Sequence, residues 1–228
     1  MIFDKYSDKN NTYTSRIKDS KYIEKGGITV PVTESYQDIC ECIISKNDLH
    51  YEISDGIHKR EYIRKVKLRL ASEAKSFFDT REYSKKFTHK LVEGGLVTEN
   101  NMSSILFLNE YFKVHVILYN NDIQKYYKTS LKESYEPIYI TYKNNEWQFH
   151  EMKIDTIPSW GELNDLSGIL AMDISSIFIY KTDMLSLSNY KLKDLEEKAS
   201  GLDILLTDNG KKKRKQQLYD EIIIKSLN

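Results

Sequence analysis

The sequence predicts an α+β domain whose helices pack on a small mixed or antiparallel sheet, followed by a small helical C-terminal module. Three observations lead there. From 59 to 78, Ile63, Val66, Leu70, Ala74 and Phe77 recur at three- and four-residue spacing, the period of an amphipathic helix. Runs of β-branched and aromatic residues at 114–119 and 137–142 follow each other through turn residues with no long helix between them, which argues against a doubly wound sheet. At about residue 182 the pattern changes to two short amphipathic stretches around a dense cluster of cations. The expected divisions are a loosely held N-terminal arm over 1–27, the α+β domain over 28–181 and the module over 185–228.

The elements follow in order. Ile28 to Val32 reads as a short edge strand, because Pro31 cannot donate to a ladder. Thr33 or Ser35 is placed to cap a helix over 36–45, with Ile39, Cys42 and Ile43 on one face. The long helix over 59–78 carries lysines and arginines on its outer face, a stripe that suits solvent or phosphate. A helix over 82–92 is expected to end at Gly94-Gly95, and another over 102–111 runs straight into the strand 114–119. Asn120, Asn121 and Asp122 turn the chain into a partner strand at 124–129. Pro137 opens the strand 138–142, Lys143 to Asn145 turn it, and 147–150 returns. Residues 151–172 read as loop, and 174–180 as a last strand. In the module, Ser188 caps a helix bearing Leu192, Leu195 and Ala199, and a final helix from about Lys211 buries Leu218, Ile222 and Ile223.

Composition excludes several classes. Lys plus Arg total 34 and Asp plus Glu total 34, so the chain is neither a basic nucleic-acid coat nor an acidic tail protein, and any cationic surface must be local. Hydrophobic residues at 40% suffice for a packed core. No run of 18 apolar residues occurs, so no membrane span or membrane partner is expected, and the polar N-terminus lacks the apolar stretch of a signal peptide. Cys40 and Cys42 have no second Cys pair with which to hold zinc. His50, His58, His89 and His115 stand in no ligand spacing, and no phosphate-binding glycine motif appears, so neither metal nor cofactor is expected. An intracellular protein is the expectation. Abundant Lys, Ile, Asn and Tyr point to an AT-rich genome.

Read in order, the strand at 28–31, the segment Thr33-Glu34-Ser35-Tyr36, the helix from Arg60 to Phe78, the run from Ser103 to Tyr119 and the strands from Ile138 to Phe149 form a sequence of features. This order resembles the ovarian-tumour (OTU) superfamily of papain-like cysteine proteases, many of which remove ubiquitin. The resemblance covers a little over half the chain, and it implies an OTU-like fold. By the same resemblance Ser35 stands where the nucleophilic cysteine belongs, and Gln148-Phe149 where the active-site His-aromatic pair belongs. An amide cannot accept a proton from a hydroxyl at neutral pH, so these degenerate positions imply a non-catalytic protein. Cys40 or Cys42 with His150 is the fallback constellation, although both cysteines lie inside the predicted helix rather than at its start.

Lys211-Lys212-Lys213-Arg214-Lys215 is the one dense cation run. With Tyr190 to Leu195 before it and Leu218 to Ile222 after it, it resembles the SAP-type helix-extended-helix module. That resemblance implies DNA binding, and related modules recur in large DNA viruses. Five adjacent cations can neutralise phosphates of DNA or RNA without reading bases. The expectation is therefore an OTU-like binding or structural protein, viral by this combination, that holds nucleic acid weakly or docks on a protein partner or virion component. The alternatives are an active deubiquitinase-type cysteine protease and an unrelated α+β interaction module.

Overall fold

The computed structural model describes residues 22–25, 28–31, 34–53, 58–79, 83–120, 122–132, 134–149, 161–162, 166, 168–208 and 210–227. The arm up to residue 21, Thr33, His150 and the 151–160 part of the expected loop lie outside these residues.

Within them the chain is α+β with a mixed sheet. Strands β1 (Tyr22–Lys25) and β2 (Ile28–Pro31) pair antiparallel in a hairpin of their own. The sequence reading put Tyr22–Lys25 in a loose arm and did not foresee this pairing. Next come β3 (Ser35–Tyr36), α1 (Ile39–Asn47), α2 (Leu49–Ile53), α3 (Lys59–Asp79), α4 (His89–Val97) and α5 (Met102–Phe112). Then follow β4 (Val114–Asn120), β5 (Lys125–Lys128), β6 (Glu136–Lys143), β7 (Glu146–Phe149) and β8 (Gly161–Glu162). The main sheet has the order β3-β7-β6-β4-β5-β8, and the β-prone runs at 114–119 and 137–142 pair with each other as a parallel ladder between β4 and β6.

Alternation sorts each strand between two environments. Val114, Val116 and Leu118 of β4, Ile138 and Ile140 of β6, and Trp147 of β7 join the core beneath the helices. Ile117, Tyr119 and Tyr139 form a small cluster on the opposite face. The helical half of the core is the predicted stripe of α3, namely Ile63, Val66, Leu70 and Ala74, together with Ile39 and Ile43 of α1 and Phe107 of α5. One cross-strand row, Ser35, Gln148, Thr141, Tyr119, Tyr126 and Glu162, crosses all six strands.

Several expected boundaries move, each for a local reason. Helix α1 begins after Asp38 and not after Thr33 or Ser35, because the Asp38 carboxylate accepts from the Cys40 N–H, and Ser35 is in a strand. Helix α4 starts late because Thr88 caps it, accepting from Leu91 N. It runs through Gly94-Gly95 instead of stopping there: a Cβ on Gly95 would come within 2.5 Å of Ser103 Oγ, so glycine lets α4 approach α5. The segment 174–180 is no strand but a 3₁₀ turn, Ser176–Phe178, with Tyr180 reaching only an isolated bridge to Tyr83. The Tyr180 hydroxyl is drawn to the buried carboxylate of Glu110, which Tyr83 also donates to at 3.0 Å.

The C-terminal residues form α6 (Leu192–Gly201), a two-strand ribbon of β9 (Thr207–Asp208) and β10 (Lys211–Lys212), and α7 (Lys215–Leu227). Ser188 is not the cap of α6. It sits in a 3₁₀ turn, Leu187–Asn189, and the first turn of α6 is closed by Asp194, which accepts from Lys191 N at 2.7 Å. Leu195, Ala199, Leu218 and Ile222 make a cluster separate from the main core. Leu192, expected in that core, is 42% exposed.

Candidate functional site

Two places decide what this chain can do. At the first, Ser35 and Gln148 are direct partners in the ladder of β3 and β7, so the two positions singled out by the resemblance lie side by side. Their chemistry is that of a sheet edge. Ser35 Oγ donates to Glu146 Oε2 at 2.6 Å, and Gln37 Nε2 donates to Glu146 Oε1 at 3.1 Å. A carboxylate is far too weak a base to deprotonate a serine hydroxyl near neutral pH, and here it clamps a two-residue strand to its neighbour.

The cysteines lie elsewhere. Cys40 is the second residue of α1, in its first turn and not a turn further in, yet it is fully buried. Its thiol donates to Ser104 Oγ at 3.0 Å, and burial together with the Asp38 charge pushes its pKa well up. Burial likewise pushes up Cys42, which packs in the same core. A thiol with raised pKa and no exposed surface is neither ionised nor reachable. Native protein is therefore expected to react with iodoacetamide at both cysteines at least ~10²-fold more slowly than urea-unfolded protein, a difference set by the opening free energy. Comparable rates in the two states, measured by intact mass, would contradict this placement.

Sequence reading missed the residue that organises this corner. Asn100 has φ of 58°, and its Oδ1 accepts from Ile39 N at 3.1 Å and from Trp147 Nε1 at 2.7 Å. Its Nδ2 donates to Gln37 O at 3.1 Å, while its own N–H donates to Asp38 Oδ1 at 3.0 Å. Asp38 Oδ2 in turn accepts from Lys67 Nζ at 2.8 Å. The Asn100-Asn101 pair was the available signal, since asparagine is among the few residues that tolerate the left-handed region. No group of three or more His, Cys, Asp or Glu among the described residues could hold a metal ion.

The second place is the cation cluster. It does not begin a helix, as expected, but bends through the ribbon: Lys211 and Lys212 are in β10, and α7 starts only at Lys215, where Gln217 Oε1 accepts from Arg214 N at 2.8 Å. Gly210, with φ of +77°, makes the turn into β10. Lys213 is committed inward, its Nζ 2.5 Å from Glu221 Oε2 and its N–H on Leu206 O. Lys211, Lys212 and Arg214 are exposed, and Lys215 is half-buried. Asp208 stands across the ribbon from Lys211. Behind this surface Tyr219 donates to Leu185 O at 3.0 Å and its ring lies 6.3 Å from that of Tyr190. The far end of α7 is held by the main domain: Lys132 Nζ donates to Leu227 O at 3.0 Å, a cation on the negative end of the helix, and lies 4.9 Å from the Tyr180 ring centre.

Among the described residues no helix is long and apolar enough to cross a membrane. Compared with family models, with curated proteins and with solved structures, the chain matches none.

Proposed function

We propose that this chain is a non-catalytic binding protein that holds nucleic acid by its phosphates through the C-terminal module. The observation behind this reading is the ribbon at 207–212 and the residues leading into α7. Of five consecutive cations one is neutralised within the module, and three of the others face solvent on a scaffold with its own apolar core. Such a surface suits phosphate oxygens and offers no pattern of donors and acceptors with which to read bases. In this reading the main domain is an OTU-like scaffold without its chemistry. Support comes from the serine and glutamine at the positions of nucleophile and base, and from the burial of both cysteines. A protein-docking role for α7 is less well supported, because Leu218 and Ile222, the residues such a helix would present, are buried in the module itself.

Fluorescence anisotropy with labelled duplexes of unrelated sequence tests the reading. The wild type is expected to bind them alike, and the variant with Lys211, Lys212, Arg214 and Lys215 all changed to Gln to bind them all more weakly. With about four phosphates no longer neutralised, the log–log salt slope should flatten by roughly 3–4, and these four contacts should account for about a 10²-fold share of the fall in wild-type affinity between 50 and 200 mM salt. No wild-type binding to duplex or single strand at low salt would end the reading.

A further inference from the structure

We infer that the outer face of α3 is a second phosphate-contact surface, so that one nucleic-acid chain is held at two places; this rests on the reading of the module given above. Helix α3 is cationic in a molecule with no net charge, carrying Lys59, Arg60, Arg64, Lys65, Lys67, Arg69 and Lys75 against Glu61, Glu73 and Asp79. Four of those cations are matched within the chain. Lys59 pairs with Glu34 at 2.5 Å, Lys65 with Glu61 at 2.8 Å and Lys67 with Asp38 at 2.8 Å, while Arg69 lies 3.8 Å from Asp48. Arg60, Arg64 and Lys75 are exposed and have no ion pair among the described residues. Glu41 and Glu61 sense the two arginines only as longer-range charges.

These three cations are not scattered. At ~100° per residue, Arg60, Arg64 and Lys75 fall within about 60° of one another, on the flank of the helix roughly 75–135° round from the centre of the buried stripe of Ile63, Val66, Leu70 and Ala74. At ~1.5 Å per residue they span roughly 22 Å, and Arg60 and Arg64 are about 6 Å apart. A duplex strand advances ~3.4 Å per phosphate, so this strip runs alongside about six of them. Arginine presents a planar fork that matches phosphate oxygens in pairs. The composition favours nucleic acid over an acidic protein. A protein interface is centred on apolar or aromatic anchors, and this strip has one exposed apolar side chain, Leu68.

The strip and the module are joined through packed side chains. Phe77 and Phe78 at the end of α3 lie 5.4 and 5.0 Å from the Tyr83 ring, Tyr83 stacks on Tyr180 at 6.1 Å, and the turn Ser176–Phe178 just before it packs against α7. A ligand long enough to reach both surfaces engages the second as an intramolecular event.

The test compares the full chain with R60Q/R64Q/K75Q, a change confined to exposed side chains, after thermal melts confirm that both fold alike. For a 30-base-pair duplex the triple variant should bind at least ~10-fold more weakly, with a salt slope lower by roughly 2–3. For a six-nucleotide strand, too short to bridge, it should match the wild type. Wild-type affinity and slope on the long duplex would overturn the inference while leaving the module reading intact. Should the cluster-neutralised variant bind both ligands like the wild type, the module reading falls and the two-place grip with it. A triple variant that loses affinity for polyglutamate but not for duplex would make the strip an acidic-protein surface and likewise overturn the inference.

Discussion

Asp38→Ala is expected to lose about 3–5 kcal/mol of folding stability, the range for removing one partner of a buried ion pair. The side chain is 1% exposed and serves three donors at once: Lys67 Nζ, Cys40 N and Asn100 N. Its removal leaves the Lys67 ammonium in a site where its side chain is only 14% exposed, and strips the first turn of α1 of its cap. Asp38→Asn keeps a capping oxygen but not the charge, and should lose clearly less. Because Asn100 donates its N–H to Asp38 and its side chain holds Ile39 N and Gln37 O on either side of that residue, Asp38→Ala and Asn100→Ala should be non-additive by ~0.5–3 kcal/mol. Urea midpoints of the wild type, Asp38→Ala, Asn100→Ala and the double variant measure both quantities, and Asp38→Asn is compared in the same way. A loss below about 1 kcal/mol for Asp38→Ala would mean the network is decoration.

Acidification should expose a second weakness, at His115. This residue points to the sheet face opposite the helices, is buried, and its Nε2 has no hydrogen-bond partner among the described residues. Burial first, and the Lys128 charge second, pull its pKa from 6.5 down to about 4. The sign follows directly. Between these two values the unfolded chain takes up a proton and the folded chain does not, so stability present above pH 6.5 is lost as pH falls towards 4. The full loss is roughly 3 kcal/mol, at ~1.4 kcal/mol per pKa unit. His115→Leu should remove this component of the acid slope, leaving that of the carboxylates. At pH 8 the variant should be no less stable than the parent, since a buried unpartnered nitrogen is gone. Identical stability curves for the two proteins between pH 7 and 4 would refute the assignment.

What could be read in advance divides along physical lines. The α3 stripe and the β4 and β6 runs were legible because one periodicity dominates each of them, and periodicity reports which face is buried. Boundaries were lost where a nearer capping residue was passed over or where a side chain far away in sequence supplies the decisive bond. Asp38 caps α1 from two residues away and was legible as a cap beside Thr33 and Ser35, whereas its second task, holding Asn100 N, has no local signal. The segment 174–180 has the apolar content of a strand. Its partner is the carboxylate of Glu110, 70 residues from Tyr180, and no local pattern announces it. At the candidate sites, the order of elements singled out Ser35 and Gln148 but left open whether they meet, and their pairing rests on a two-residue strand that the helix-cap reading of Ser35 did not foresee. The bend of the cation cluster through a ribbon was not, because Gly210 reads equally well as a stop before a helix or as a turn between strands.

The six-strand row that contains Ser35 and Gln148 also makes the sheet sensitive to odd and even numbers. Strands β6 and β7 are joined by Asn144 and Asn145, both in the left-handed region, and beyond that turn Trp147 goes inward while Gln148 goes out. One added residue that slipped the register of β7 on β6 by one would exchange these two and drive an amide into the core while turning an indole away from Asn100. Two added residues would restore the pattern. A single added residue is therefore tolerated where the loop itself absorbs it, as a three-residue turn does, and not where it shifts the ladder.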